Sequence, residues 1–178
     1  RGTSRWQASE GPEVIYRDGY YYLFLAYGSL SVEYNTRVCR SKNIDGPYVD
    51  IHGNSAMGSA QLYPILTAPY RFDNSYGWVG ISHCGIFDDG AGNWFYTSQG
   101  RFPVNVGGNE YSNAIMMGHV RSIRWDANGW PLVMPERYGA VPQAPITENE
   151  IAGDWEHLAL TTSTGTQRTS ETMTYDLG

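Results

Sequence analysis

The chain has 178 residues, a net charge of −6 and only 17% charged residues, while aromatics reach 14%, including 14 Tyr and 6 Trp. That length suits one ordinary domain, or part of a larger one. There is no Lys/Arg cluster and no run approaching the ~20 apolar residues that span a bilayer, which argues against nucleic-acid and membrane partners.

Short apolar and aromatic runs separated by Gly, Asp, Asn and Pro give the pattern of an all-β protein. Residues 13–17 lead through Asp18-Gly19 into residues 20–27, and Asp-Gly accepts the positive φ of a tight hairpin turn. Residues 35–41 make a third strand, and Asp45-Gly46-Pro47 turns the chain toward a fourth at 48–51. A second unit repeats the plan, with strands expected at 84–87, 93–98, 114–125 and 130–134. Aligning the units sets Glu10 opposite His83. Repeated four-stranded antiparallel units predict propeller blades, and because two blades cannot close a ring, others are expected before Arg1. The chain opens without Met, so the lack of a signal peptide carries no weight.

From Pro142-Gln143-Ala144-Pro145 the texture changes to a linker or crossing strap. Trp155, Leu158 and Leu160 then alternate as a half-buried strand would, and a Thr- and Ser-rich tail follows. The expectation is a propeller portion over 1–144, and over 145–178 a linker and the beginning of a second β domain. Cys39 and Cys84 are too few for a disulfide framework and read as two buried thiols rather than one bridge.

Glu10, in Ser9-Glu10-Gly11-Pro12, is the leading candidate for chemistry. A carboxyl at the mouth of an innermost strand faces the propeller axis, where desolvation raises its pKa toward that of a general acid. The competing reading is a plain turn glutamate. Glu13 reads as an exposed strand position and Glu33 as a loop charge. His83 ends an apolar approach and is either a core histidine or a channel residue that orients water or ligates a cation. A lone His is no zinc site, and a hard ion such as calcium would need mostly oxygen ligands, including water. His119 reads as a strand histidine. No Gly-x-Ser-x-Gly elbow or phosphate-binding Gly-Lys loop occurs.

The combination of Ala8-Ser9-Glu10-Gly11-Pro12-Glu13-Val14-Ile15-Tyr16, Gly19-Tyr20-Tyr21-Tyr22-Leu23-Phe24, Tyr34-Asn35-Thr36-Arg37-Val38, His83-Cys84, Gln99-Gly100-Arg101 and Gly129-Trp130-Pro131-Leu132 resembles the arabinanases of glycoside hydrolase family 43. The resemblance implies the later blades of a five-bladed β-propeller. It also implies hydrolysis of α-1,5-linked L-arabinan with inversion, and secretion. Gly153-Asp154-Trp155-Glu156 is similar to the start of the C-terminal β-barrel in two-domain members. Glu10 falls on the family's general acid, and His83 on the histidine that faces a central metal site, usually calcium bound through water. The general base and the pKa-tuning aspartate belong to earlier blades, carried by the same protein or by a companion chain. Asp88 and Asp89 are rejected as the base because they sit in a hairpin turn. Trp6, Asn35 and Arg37 are candidate substrate-binding residues, with the core or strand bracing as the alternative for Trp6 and Arg37. Ser82 replaces a glycine that commonly precedes the histidine, and Thr97-Ser98 stands where His often occurs, which leaves fine site geometry open. The alternatives are exo action or an arabinofuranosidase, a non-catalytic carbohydrate-binding propeller, and a purely structural β domain.

Overall fold

A computed structural model describes residues 9–58, 61–141, 144–160 and 166–177. Its first half is an antiparallel sheet in sequence order, β1 (Ser9–Arg17), β2 (Tyr20–Tyr27), β3 (Asn35–Ser41) and β4 (Ile65–Thr67). Asp18 and Gly19 join β1 to β2 with φ of 48° and 84°, the left-handed pair that the hairpin requires. The second and third strands stand at the residues where they are expected.

The fourth strand does not. Val49 makes only isolated bridges to Arg40 and Ser55, and the edge strand forms at Ile65–Thr67. The intervening excursion folds over one face of the sheet, where Leu25, Tyr27, Cys39, Ala56 and Leu62 form a small apolar cluster. A turn signal such as Asp45-Gly46-Pro47 reports a reversal, not which later segment completes the sheet.

β5 (Tyr70–Arg71) bridges back to Trp78 and leads to a second antiparallel sheet, again in sequence order. Its strands are β6 (Gly85–Asp88), β7 (Trp94–Arg101), β8 (Met116–Trp125) and β9 (Pro131–Val133), with a 3-10 turn at Ser112–Ala114. β1 lies beside β6 and β4 beside β9, so the sheets face each other with like strands adjacent. Between them lies the main core, including Phe24, Val38, Leu66, Ile81, Ile86 and Tyr96. Each such side chain contributes about 1.5–3 kcal/mol on burial.

Along β1 the alternation runs opposite to expectation. Ile15 packs against the core and Glu13 is half-buried, whereas Val14 and Tyr16 are 46% and 60% exposed. Glu33 is not a free loop charge either. It is buried, and its carboxylate accepts the Ser29 N–H at 2.9 Å. The two cysteines are buried thiols in different clusters, and burial pushes the Cys84 thiol up to about 12.

Past the second sheet, a short helix α1 (Glu148–Ile151) begins with a Thr147/Glu150 capping box that the sequence reading did not identify. β10 (Gly153–His157) pairs with β12 (Glu171–Tyr175), and β11 (Arg168–Thr169) runs parallel to β5. The strand expected through Leu160 thus ends at His157, and the tail reaches back to the inter-sheet connection through Ser170 N–H to Arg71 C=O at 3.0 Å. Pro142 and Gln143 of the expected linker lie outside the described residues.

His119 on β8 is buried, with its ring edge-on to Trp78 at 4.2 Å between centroids. Its Nδ1 lies 3.2 Å from an Arg121 nitrogen, which can only donate, so the ring is neutral with its proton on Nε2. Burial first, then the charges of Arg121 and Arg137, lower its pKa from 6.5 to about 4. Because the unfolded state binds the proton more tightly, the neutral ring stabilises the fold above about pH 6.5, and that contribution falls away between 6.5 and 4. The thermal midpoint should therefore fall through this window, and His119→Phe should flatten the fall. An unchanged slope in calorimetry would count against the assignment.

Candidate active site

Three segments converge where β1 meets the approach to β6. Glu10 stands near the start of β1, opposite Ala26 of β2, and the register shifts between Glu10 and Glu13. Gly11, in that irregular stretch, has a φ of 55°. His83 precedes β6 with a φ of 59°, a left-handed conformation that costs a non-glycine residue about 1–2 kcal/mol. Its ring lies over Gly11, where an added Cβ would come within 3.1 Å of the imidazole. Such backbone strain clusters at active sites and ligand clamps, and makes His83 a candidate for one.

The third segment is the β2–β3 loop, which the sequence reading did not single out for chemistry. Gly28, with a φ of 85°, turns the chain out of β2, and the Glu33 carboxylate closes the loop on Ser29. This presents Tyr34, which is 1% exposed, with its hydroxyl in the site. Tyr34 donates to Oε1 of Glu10, and its oxygen lies 3.1 Å from Nδ1 of His83. Nδ1 of His83 is 3.8 Å from the same carboxylate oxygen. Burial, then the hydrogen bond to Glu10 and its charge, hold the Tyr34 hydroxyl well above its ordinary pKa, so it remains a donor.

The register of Glu10 with His83 thus becomes a direct neighbourhood, bridged by Tyr34. The desolvation expected around Glu10 is not supplied by the described residues, because its side chain is 61% exposed and that of His83 is 59% exposed. Ser82, the departure from glycine, is used: its hydroxyl donates to the Asn35 carbonyl at 3.0 Å and lies 2.7 Å from the Thr36 hydroxyl.

Asn35 and Arg37 are buried rather than offered to a ligand. The Asn35 amide donates to the carbonyls of Tyr27 and Glu33 at 3.1 and 2.9 Å and accepts from Arg37 Nε at 2.9 Å. The Arg37 guanidinium lies over the Tyr27 ring and reaches the Leu62 carbonyl at 3.4 Å. In place of the expected sugar contacts, both brace the strand beneath the site. Trp6 lies outside the described residues. Asp89 is spent in its turn, accepting from Ala91 N–H at 2.8 Å and the Asn93 amide at 2.7 Å, at the far end of β6 from His83.

No group of three His, Cys, Asp or Glu gathers to hold a metal among the described residues. A cation here would take from them the single imidazole nitrogen of His83. That donor set does not by itself fit calcium, which prefers six to eight oxygens. No helix among the described residues is long and apolar enough to cross a membrane.

An open carboxyl group on paired four-stranded sheets is chemically able to serve as one of the two carboxyl groups that glycoside hydrolysis uses. Residues 2–131 match the glycosyl hydrolases family 43, and the chain belongs to that family. It is 30% identical over 169 residues to the extracellular endo-α-(1→5)-L-arabinanase 2 of Bacillus subtilis, covering 83% of this chain and 34% of that protein. It is 31% identical over 168 residues to the extracellular endo-α-(1→5)-L-arabinanase of Thermotoga petrophila, covering 84% of this chain and 34% of that one. A crystal structure of the endo-1,5-α-L-arabinanase from Thermotoga petrophila superposes with a TM-score of 0.83 at 26% identity, over 96% of this chain and 40% of the other. The chain spans about a third of the length of these two curated relatives.

Gly11→Ala should displace the His83 ring, since the new Cβ meets it at 3.1 Å, and should strain the left-handed backbone. The expected outcome is a loss of about 1–2 kcal/mol in stability, together with a moved His83 resonance in the NMR spectrum. An unmoved resonance would show that the ring does not depend on this glycine.

Proposed function

We propose that the full-length protein hydrolyses α-1,5-linked L-arabinan with inversion, with Glu10 as general acid. The observation that carries this is the nearness of Glu10 to His83 across two sheets, in a chain two of whose matched relatives are named endo-arabinanases. In this reading water attacks the anomeric carbon and passes a proton to a carboxylate base. The glycosidic C–O bond breaks as Glu10 delivers its proton to the departing oxygen, and in inverting enzymes the two carboxyl groups stand about 6.5–9.5 Å apart. The base would come from further blades of a five-bladed propeller. Outward-facing apolar residues on both sheets, among them Val14, Tyr16, Phe87 and Leu132, are suited to packing against such blades.

A calcium ion beside His83 would take its oxygen ligands from water and from the further blades, with His83 facing it. When bound, the ion supplies fixed positive charge. The site's own residues orient and deliver the acid proton. By likeness to relatives named as extracellular, the protein would be secreted.

Incubating the full-length protein with debranched linear arabinan should release a ladder of oligomers. A single small product from the outset would indicate exo action instead. Glu10→Gln should reduce turnover at least ~100-fold, within the range that general acid catalysis contributes, with an unchanged thermal midpoint. Full turnover by this variant would remove Glu10 from the acid role.

A further inference from the structure

The contacts of Tyr34 go beyond the assignment of Glu10 as acid, though they rest on it. A tyrosine hydroxyl has one hydrogen, and here it is donated to Oε1 of Glu10. The same oxygen lies 3.1 Å from Nδ1 of His83 and has no second hydrogen to give. The contact with His83 is therefore made by an Nδ1–H donating into the tyrosine oxygen, the tautomer whose Nε2 carries no proton. On the carboxyl side, Oε1 already accepts a hydrogen. A protonated Glu10 that kept this bond would carry its own proton on Oε2.

We propose that Tyr34 is a positioning residue that orders a one-way chain of donors, His83 Nδ1–H to Tyr34 Oη–H to Glu10 Oε1, so that the acid's transferable proton sits on Oε2 and Nε2 of His83 is the open acceptor. Its burial suits the role, because a ring fixed by packing can aim its hydroxyl without rotamer freedom. The loop bonds that close around Glu33 and Asn35 fix where the ring leaves the backbone. The proton leaves Oε2 for the departing sugar oxygen as the C–O bond breaks. Glu10 is then a carboxylate still held by the tyrosine, and it regains its proton from water in the next cycle.

Tyr34→Phe keeps the ring and removes only the hydroxyl. In the full-length protein it should lower kcat on linear arabinan by at least ~10-fold while leaving KM nearly unchanged, a part of the range set by general acid catalysis. On a 2,4-dinitrophenyl arabino-oligoside, whose leaving group departs without protonation, the same variant should stay within ~2-fold of the parent, because acid catalysis has nothing to contribute there. An equal fall on both substrates, or no fall on either, would overturn the proposal. Glu10→Gln run in parallel separates the two levels: if that variant retains arabinan turnover, it is the acid assignment that fails. Independently of the variant's folding, 15N spectra of the histidine-labelled parent should show His83 protonated at Nδ1 and not at Nε2. The opposite tautomer would overturn the direction of the chain.

Discussion

The geometry of the site depends on a set of hydroxyl groups buried between the two sheets. The Thr36 hydroxyl lies 2.7 Å from both the Ser82 and Tyr96 hydroxyls, and the Thr67 hydroxyl donates to the Ile81 carbonyl at 2.7 Å. Apolar packing alone brings sheets together without fixing how far one slides along the other. Hydrogen bonds in a dry interface do fix it, because a buried hydroxyl left unpaired costs about 1–3 kcal/mol. Thr36 is one residue beyond Asn35 and two beyond Tyr34, while Ser82 immediately precedes His83. Locking Thr36 to Ser82 therefore sets Tyr34 against His83. The Gly80 N–H donating to the Val32 carbonyl at 3.1 Å ties the same loop to the same approach strand.

This arrangement explains how a serine is accommodated at position 82, beside His83. A serine in a dry interface is destabilising unless its hydroxyl is paired. Here it is paired twice, with Thr36 and with the Asn35 carbonyl, and so adds to the lock. Asn35 and Arg37 belong to the same structural layer. Their side chains hold the loop end and the strand beneath Tyr34, which is why their polar atoms are turned inward rather than toward a sugar.

The parts of the fold that were legible in the sequence are those decided locally. Residues 20–27 carry a continuous apolar and aromatic run, and Asp18-Gly19 carries its own turn, so that strand and that hairpin follow from near neighbours. The edge strand at Ile65–Thr67 was not legible, because its three residues form a strand only through pairing with β3, far back in the sequence. The side of β1 that faces the core was misread at Glu13 for a related reason. Burial alternates without a break from Ser9 to Arg17, and Val14-Ile15-Tyr16, apolar at three successive positions, does not state which of them faces inward. The nearness of Glu10 to His83 could be read because the two stand at matching places in a repeat, Glu10 just before an apolar strand and His83 at the end of an apolar approach. Tyr34 could not, since its role exists only where three segments meet.

A general acid must hold its proton in one direction, and a carboxylate on a flexible side chain at an irregular strand start does not do so unaided. Two left-handed residues, Gly11 and His83, allow the histidine to lie over the backbone next to Glu10. Tyr34 then spans the gap between the two side chains. None of the three is oriented by its own strand. Each is oriented by the seam between the sheets, so the acid in this reading is a property of the interface. A change to the buried hydroxyls that shifted one sheet along the other would separate Tyr34 from His83 before it disturbed either strand.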